Sequence, residues 1–133
     1  MNTRYDDRLV AHLSGLISEG HFDELFSRGG CFHFALCAFK QGIGDLHCTI
    51  SGYDLNEPDH VFVISPDGRA FDRLGYRPLA ELLEERQARD FGHRAAMESE
   101  IADHIASMHV PPELHEEIYR IAAAMIPKLR RPE

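Results

Sequence analysis

A chain of 133 residues is long enough to bury one core and to fold as one domain. Its formal net charge of −8 argues against a broad contact with a phosphate backbone, because the basic cluster Lys128, Arg130 and Arg131 sits where it would complement the end of a last helix. No apolar run approaches the ~20 residues that span a bilayer, and the polar start Met1 to Asp7 lacks the apolar stretch of a signal peptide, so a cytoplasmic protein without membrane or nucleic-acid partners is expected.

Residues 4–19 read as an amphipathic helix, with Tyr5, Leu9, Leu13, Leu16 and Ile17 on one face and Gly20 as its cap. A short helical turn over 21–26 precedes a break at Arg28-Gly29-Gly30. Cys31 then opens a run, Cys31 to Phe39, that is apolar nearly all round. Phe32, Ala35, Leu36 and Phe39 keep helix spacing, while Phe34, Cys37 and Ala38 make the opposite side apolar too. Such a helix belongs inside a domain.

Residues 46–51 and 59–64 are rich in strand formers, and the second is apolar enough to lie centrally in a sheet. Ser65-Pro66-Asp67-Gly68-Arg69 is a hairpin turn, and 70–72 the return strand. Gly75-Tyr76-Arg77-Pro78 interrupts the pattern. The remainder reads as helical: 79 to about 89, a stripe of Met97, Ile101, Ile105 and Met108, and, after Pro111-Pro112, a stripe of Leu114, Ile118, Ile121, Met125 and Leu129. The expected fold is α+β, a small antiparallel meander packed on a central buried helix. Residues 1–30 would form N-terminal helices, 31–77 the cysteine helix and meander, and 78–133 a helical extension, all in one domain.

Three cysteines, Cys31, Cys37 and Cys48, do not make a disulfide framework. Cys37 and Cys48 read as small core residues. Cys31 differs, because the start of a helix offers free N–H groups and the positive end of the helix dipole, both favouring a thiolate. The hairpin supplies its complement. If Ser65 pairs with Arg69 across a three-residue turn, Asp72 falls opposite Phe62 and diagonal to His60. Diagonal neighbours on one face lie about 7–8 Å apart at most between Cβ atoms, within reach of a His–carboxylate contact. A register slip of one residue would put the two on opposite faces. Cys31 as nucleophile, His60 as base and Asp72 as orienting residue make a thiol triad.

The segments Gly30-Cys31-Phe32-His33-Phe34-Ala35, Asp59-His60-Val61-Phe62-Val63 and Gly68 to Gly75 resemble the papain-like cysteine peptidase superfamily, notably its small NlpC/P60-type hydrolases. There a cysteine opens a helix, a histidine begins a following strand, and a polar residue on the next strand completes the triad. The likeness covers roughly residues 25–77. It implies a thiol hydrolase with Cys31, His60 and Asp72 in those roles, acting on a peptide or other amide through an acyl-enzyme, with no cofactor. Many such enzymes place a glutamine before the cysteine as an oxyanion donor. Here the only glutamines, Gln41 and Gln87, come after it. Ser27 and Tyr5 are the remaining candidates beside the Cys31 N–H.

Plainer readings stand beside this one. Cys31 alone suits a core thiol, His60 a strand-end histidine and Asp72 a turn residue. His33 lies off the cysteine's helix face and reads as a partly buried structural histidine. A metal reading would gather Cys31, His47, His60 and Asp72, although no close ligand pair supports it. His93, His104, His109 and His115 read as solvent-facing, and the helical glutamates, Glu81, Glu84 and Glu85 among them, as solvated faces. The competing class is a non-catalytic interaction module that keeps the scaffold and offers its acidic surface to a basic partner.

Overall fold

The computed structural model describes residues 5–27, 29–50, 58–86 and 92–130. Ser51, the helix end expected at 87–89, Arg131 and all but Pro58 of the loop expected over 52–58 lie outside the described residues, and Pro58 opens a strand instead. The chain is α+β. Eleven elements occur in the order α1 (Asp7–Ser18), α2 (Phe22–Ser27), α3 (Cys31–Lys40), β1 (Asp45–Ile50), β2 (Pro58–Ile64), β3 (Ala70–Asp72), β4 (Gly75–Arg77), α4 (Leu79–Glu85), β5 (His93–Ala95), α5 (Glu98–Ala106) and α6 (Pro112–Leu129).

The first helix is shorter than its apolar stripe suggests. Asp6 caps it, accepting from the Arg8 and Leu9 N–H groups, and Tyr5 falls outside, 45% exposed. A carboxylate at this position satisfies otherwise orphaned donors, which fixes where the helix starts.

Five antiparallel strands form one sheet in the order β4-β3-β2-β1-β5. The hairpin register is the one the turn dictates: Ile64 pairs with Ala70 and Val63 with Phe71, and the Ser65 N–H donates to the Arg69 carbonyl at 2.9 Å. Two strands went unforeseen. Gly75 to Arg77 continues the meander as β4, and His93 to Ala95 adds to the other side of β1 as β5, so the region after 78 is not helical throughout. Three-residue strands are too short for alternation to show. Their ladder partners, not their own pattern, create them.

The two faces of the sheet have different covers. Leu46, Cys48, Val61, Val63 and Phe71 belong to the main core with Phe34, Ala35, Leu36 and Ala38 of α3. Phe62 and Ala70 turn the other way, under Leu82 of α4, with Leu79 and Leu83 beside them. The C-terminal helices are no appendage. Ile101, Ile105, Leu114, Ile118, Ile121, Ala122 and Ile126 pack into the same core as α3. Each buried Leu or Ile contributes about 1.5–3 kcal/mol relative to leaving it exposed. Among the described residues, no helix is long and apolar enough to cross a membrane.

Candidate active site

The glycine pair determines how Cys31 is presented. Gly29 takes φ +75, a region side chains with a Cβ rarely adopt. Gly30 donates to the Leu25 carbonyl at 2.9 Å and lies so close to α2 that a Cβ there would come within 2.7 Å of that oxygen. The chain therefore leaves α2 and enters α3 with almost no linker, and Cys31 becomes the first helical residue. No side chain caps α3, although the residues of its first turn, Cys31, Phe32 and His33, are buried. Gly30→Ala should destabilise the protein by about 1–3 kcal/mol through this clash. Urea denaturation would check it, and an unchanged midpoint would mean that α2 can back away at no cost.

His60 and Asp72 share the sheet face that carries Phe62 and Ala70. Both are nearly sealed from solvent, at 1% and 2% exposure. His60 Nε2 lies 3.8 Å from Asp72 Oδ2. That contact is longer than a hydrogen bond, and neither His60 nitrogen has a hydrogen-bond partner among the described residues. It is an electrostatic contact between a ring and a carboxylate that are both nearly sealed from solvent. The Thr49 hydroxyl accepts from the His60 main-chain N–H at 3.1 Å, which ties the start of β2 to β1.

Cys31 starts the helix that covers the other face of the sheet, yet it lies close enough to His60 for each to shift the other's ionisation. Burial opposes ionisation of the thiol, but the neighbouring His60 ring, the Val61 main-chain N–H and the Arg86 guanidinium together lower its pKa. Burial likewise opposes charge on His60, and there Asp72 and Cys31 prevail and raise its pKa. The opposite shifts favour a thiolate–imidazolium pair. The two distal cysteines behave otherwise: burial raises the pKa of both Cys37 and Cys48.

Asp72 has further work. Its Oδ1 accepts from the Leu74 N–H at 3.0 Å, closing the β3–β4 turn, and its Oδ2 accepts from Arg77 Nη2 at 2.6 Å. Arg77 is buried and also donates to Glu85 at 3.0 and 3.3 Å. Burial works against the Asp72 carboxylate, yet these donors with His60 hold its pKa down to about 2. Glu85 is exposed, as a helix-face glutamate is expected to be, but it is also engaged by arginines. Arg73 and Arg86 also lie within 3.6 Å of it.

A cavity of about 550 Å³ opens over the cysteine, lined by Ser27, Gly29, Cys31, Phe32, Asp59, Glu85, Arg86, His104 and Met108. Phe32 stacks on His104 at 4.1 Å between ring centres, forming an apolar wall. Ser27, one of the two donor candidates, lines this cavity. The other, Tyr5, lines a separate one with His109 and His115.

The remaining histidines are mostly employed structurally. His33 is fully buried rather than partly so, and its Nε2 lies 2.9 Å from His115 Nδ1 across α3 and α6. Burial, with His115 close by, pushes its pKa down to about 3. His47 does not approach the cysteine site. It lies on β1 with Nδ1 3.2 Å from His93 Nδ1 on β5. Of the four histidines expected in solvent, His109 alone is fully exposed, while His93, His104 and His115 are half-buried in ring contacts. Among the described residues, no cluster of three or more His, Cys, Asp or Glu is arranged to hold a metal ion.

Arg73, Arg77, Glu85 and Arg86 are the site residues that pattern reading missed. Their signal was weak. Arg77 and Glu85 are eight apart and meet because β4 turns directly into α4. No family model matches the chain, and neither a curated protein nor a solved structure matches it.

Proposed function

We propose that the protein is a thiol hydrolase that cleaves or deamidates an amide bond through Cys31, His60 and Asp72, in the manner of the papain-like enzymes it resembles. The observation that carries this reading is convergence. A cysteine at an uncapped helix start lines a cavity, a buried histidine is close enough to shift its ionisation, and a buried aspartate lies 3.8 Å from that histidine. The Cys31 thiolate would attack the amide carbonyl, forming the S–C bond as the carbonyl π pair moves to oxygen. When that pair returns, the C–N bond breaks and imidazolium His60 gives its proton to the departing amine. Water, deprotonated by His60, would then release the acid from the thioester.

The competing reading, an interaction module with an idle site, has one observation behind it. Asp72 bonds Arg77 and Leu74 more closely than it approaches His60. Alkylation separates the two. With substoichiometric iodoacetamide near pH 7, Cys31 should be modified first, ahead of Cys37 and Cys48, as mapped by peptide mass. Equal rates, or Cys31 reacting only once the protein is unfolded, would return it to the core and leave the interaction module. The substrate class is an amide-containing molecule small or extended enough to enter the cavity.

A further inference from the structure

Three arginines surround the site, and their charges are unequally spent. Arg77 bonds both Asp72 and Glu85. Arg73 Nε bonds Asp23 Oδ1 at 2.9 Å. Arg86 has no such partner. Its Nη2 donates to the neutral Ser27 hydroxyl at 3.2 Å, and its Nε is buried with no hydrogen-bond partner among the described residues. Its nearest carboxylate contact is Glu85 at 3.6 Å, an oxygen that Arg77 already holds at 3.0 Å. This least compensated cation lines the same cavity as Cys31.

We propose that Arg86 supplies the positive charge that keeps Cys31 a thiolate and then receives the substrate's carbonyl oxygen as it becomes anionic, a role that presupposes the thiol-hydrolase reading. The residue would fill the place left by the glutamine this chain lacks before its cysteine. A guanidinium stays protonated at any working pH, so it can donate hydrogen bonds throughout the cycle without exchanging a proton. Other charges face the thiol from every side: Glu85 from α4, His60 and Asp59 from β2, Asp72 and Arg73 at the end of β3, and His104 from α5. Glu85 and Asp72 are committed to Arg77, Arg73 to Asp23, and Asp59 is solvent-exposed. His60 is therefore the stronger influence on the sulfur, and Arg86 adds the permanent positive charge beside it. Burial disfavours charge on Arg86, and Cys31 is the strongest influence restoring it.

Two measurements on Arg86→Gln test this, with folding checked by thermal melting. The first is the pH dependence of Cys31 alkylation by iodoacetamide. The midpoint should rise by about one pH unit, making alkylation about tenfold slower below it, and Arg86→Lys should recover part of the shift. The second is the acylation burst with p-nitrophenyl acetate above the thiol midpoint, where the thiolate is fully formed in both proteins. Loss of an oxyanion donor should slow it by about 100-fold. An unaltered midpoint in Arg86→Gln, with wild-type Cys31 selectively alkylated, would overturn the thiolate role alone, and an unaltered burst would overturn the oxyanion role. Wild-type Cys31 reacting no faster than Cys37 or Cys48 would overturn the hydrolase reading and this one together. If Arg86→Gln does not fold, Arg86→Met, which keeps the packed stem, carries both measurements.

Discussion

Asp72→Ala should destabilise the protein toward the lower end of the range of about 3–5 kcal/mol for breaking a buried ion pair. It leaves Arg77 buried with Glu85 but without its closest partner, and it unties the Leu74 N–H. Urea denaturation of the variant measures this directly, and a loss below about 1 kcal/mol would mean that Glu85 alone satisfies Arg77. The same carboxylate predicts acid sensitivity. Its folded pKa, about 2, lies below the unfolded value of about 3.9, so its contribution is complete above about pH 5 and is lost as the pH falls through 2. The stability difference between wild type and Asp72→Asn should narrow over that window. A constant difference from pH 5 to pH 2 would assign the effect to shape and not to charge.

His60→Ala should slow alkylation of Cys31 at pH 6 by at least about tenfold, while leaving Cys37 and Cys48 as they were. The imidazole is the largest of the influences that favour the thiolate, and without it burial pushes the thiol upward. Wild-type reactivity should turn on at a pH below that of an ordinary cysteine, because thiolate and imidazolium stabilise each other. The variant should turn on well above it. Iodoacetamide rates across pH 5–9, read by intact mass, distinguish these profiles. Superimposable profiles would show that the helix start and Arg86 hold the thiolate without help from His60.

Much of this arrangement was readable from the chain because short-range rules governed it. The turn Pro66-Asp67-Gly68 has a fixed length, which sets the parity of the hairpin and with it the shared face of His60 and Asp72. Gly29 and Gly30 marked the entry to α3 for steric reasons that two glycines announce by themselves. The stripe of α6 was legible because one face is apolar over several turns, whereas in α5 only Ile101 and Ile105 are buried, Met97 being a 70% exposed cap and Met108 lying past the helix end.

What escaped reading depended on distant neighbours. β4 and β5 exist only through the strands beside them. The partners of His33, His47 and Glu85 lie on elements 82, 46 and 8 residues away, where periodicity carries no information. For the same reason His93, His104 and His115, read as solvent-facing, proved to be packing residues, while His109 is exposed as expected. Glu85 is exposed, as its helix face implies, but nothing local tells that β4 brings Arg77 against the C-terminal end of α4.

The enclosure of α3 by the C-terminal helices has a consequence for how the protein comes into being. By the time β4 has been synthesised, the nascent chain already contains Cys31, His60 and Asp72. Yet Ile101, Ile105, Ile118, Ala122 and Ile126, which close the core around the cysteine helix, are still to be added. His104, one wall of the cavity, is also absent at that stage. A low-pKa thiol is a hazard in a half-made chain, open to oxidation and to attack on neighbouring polypeptides. In this topology α3 gains its full packing only when α5 and α6 join the core, so the setting of Cys31 is completed by residues far downstream of it.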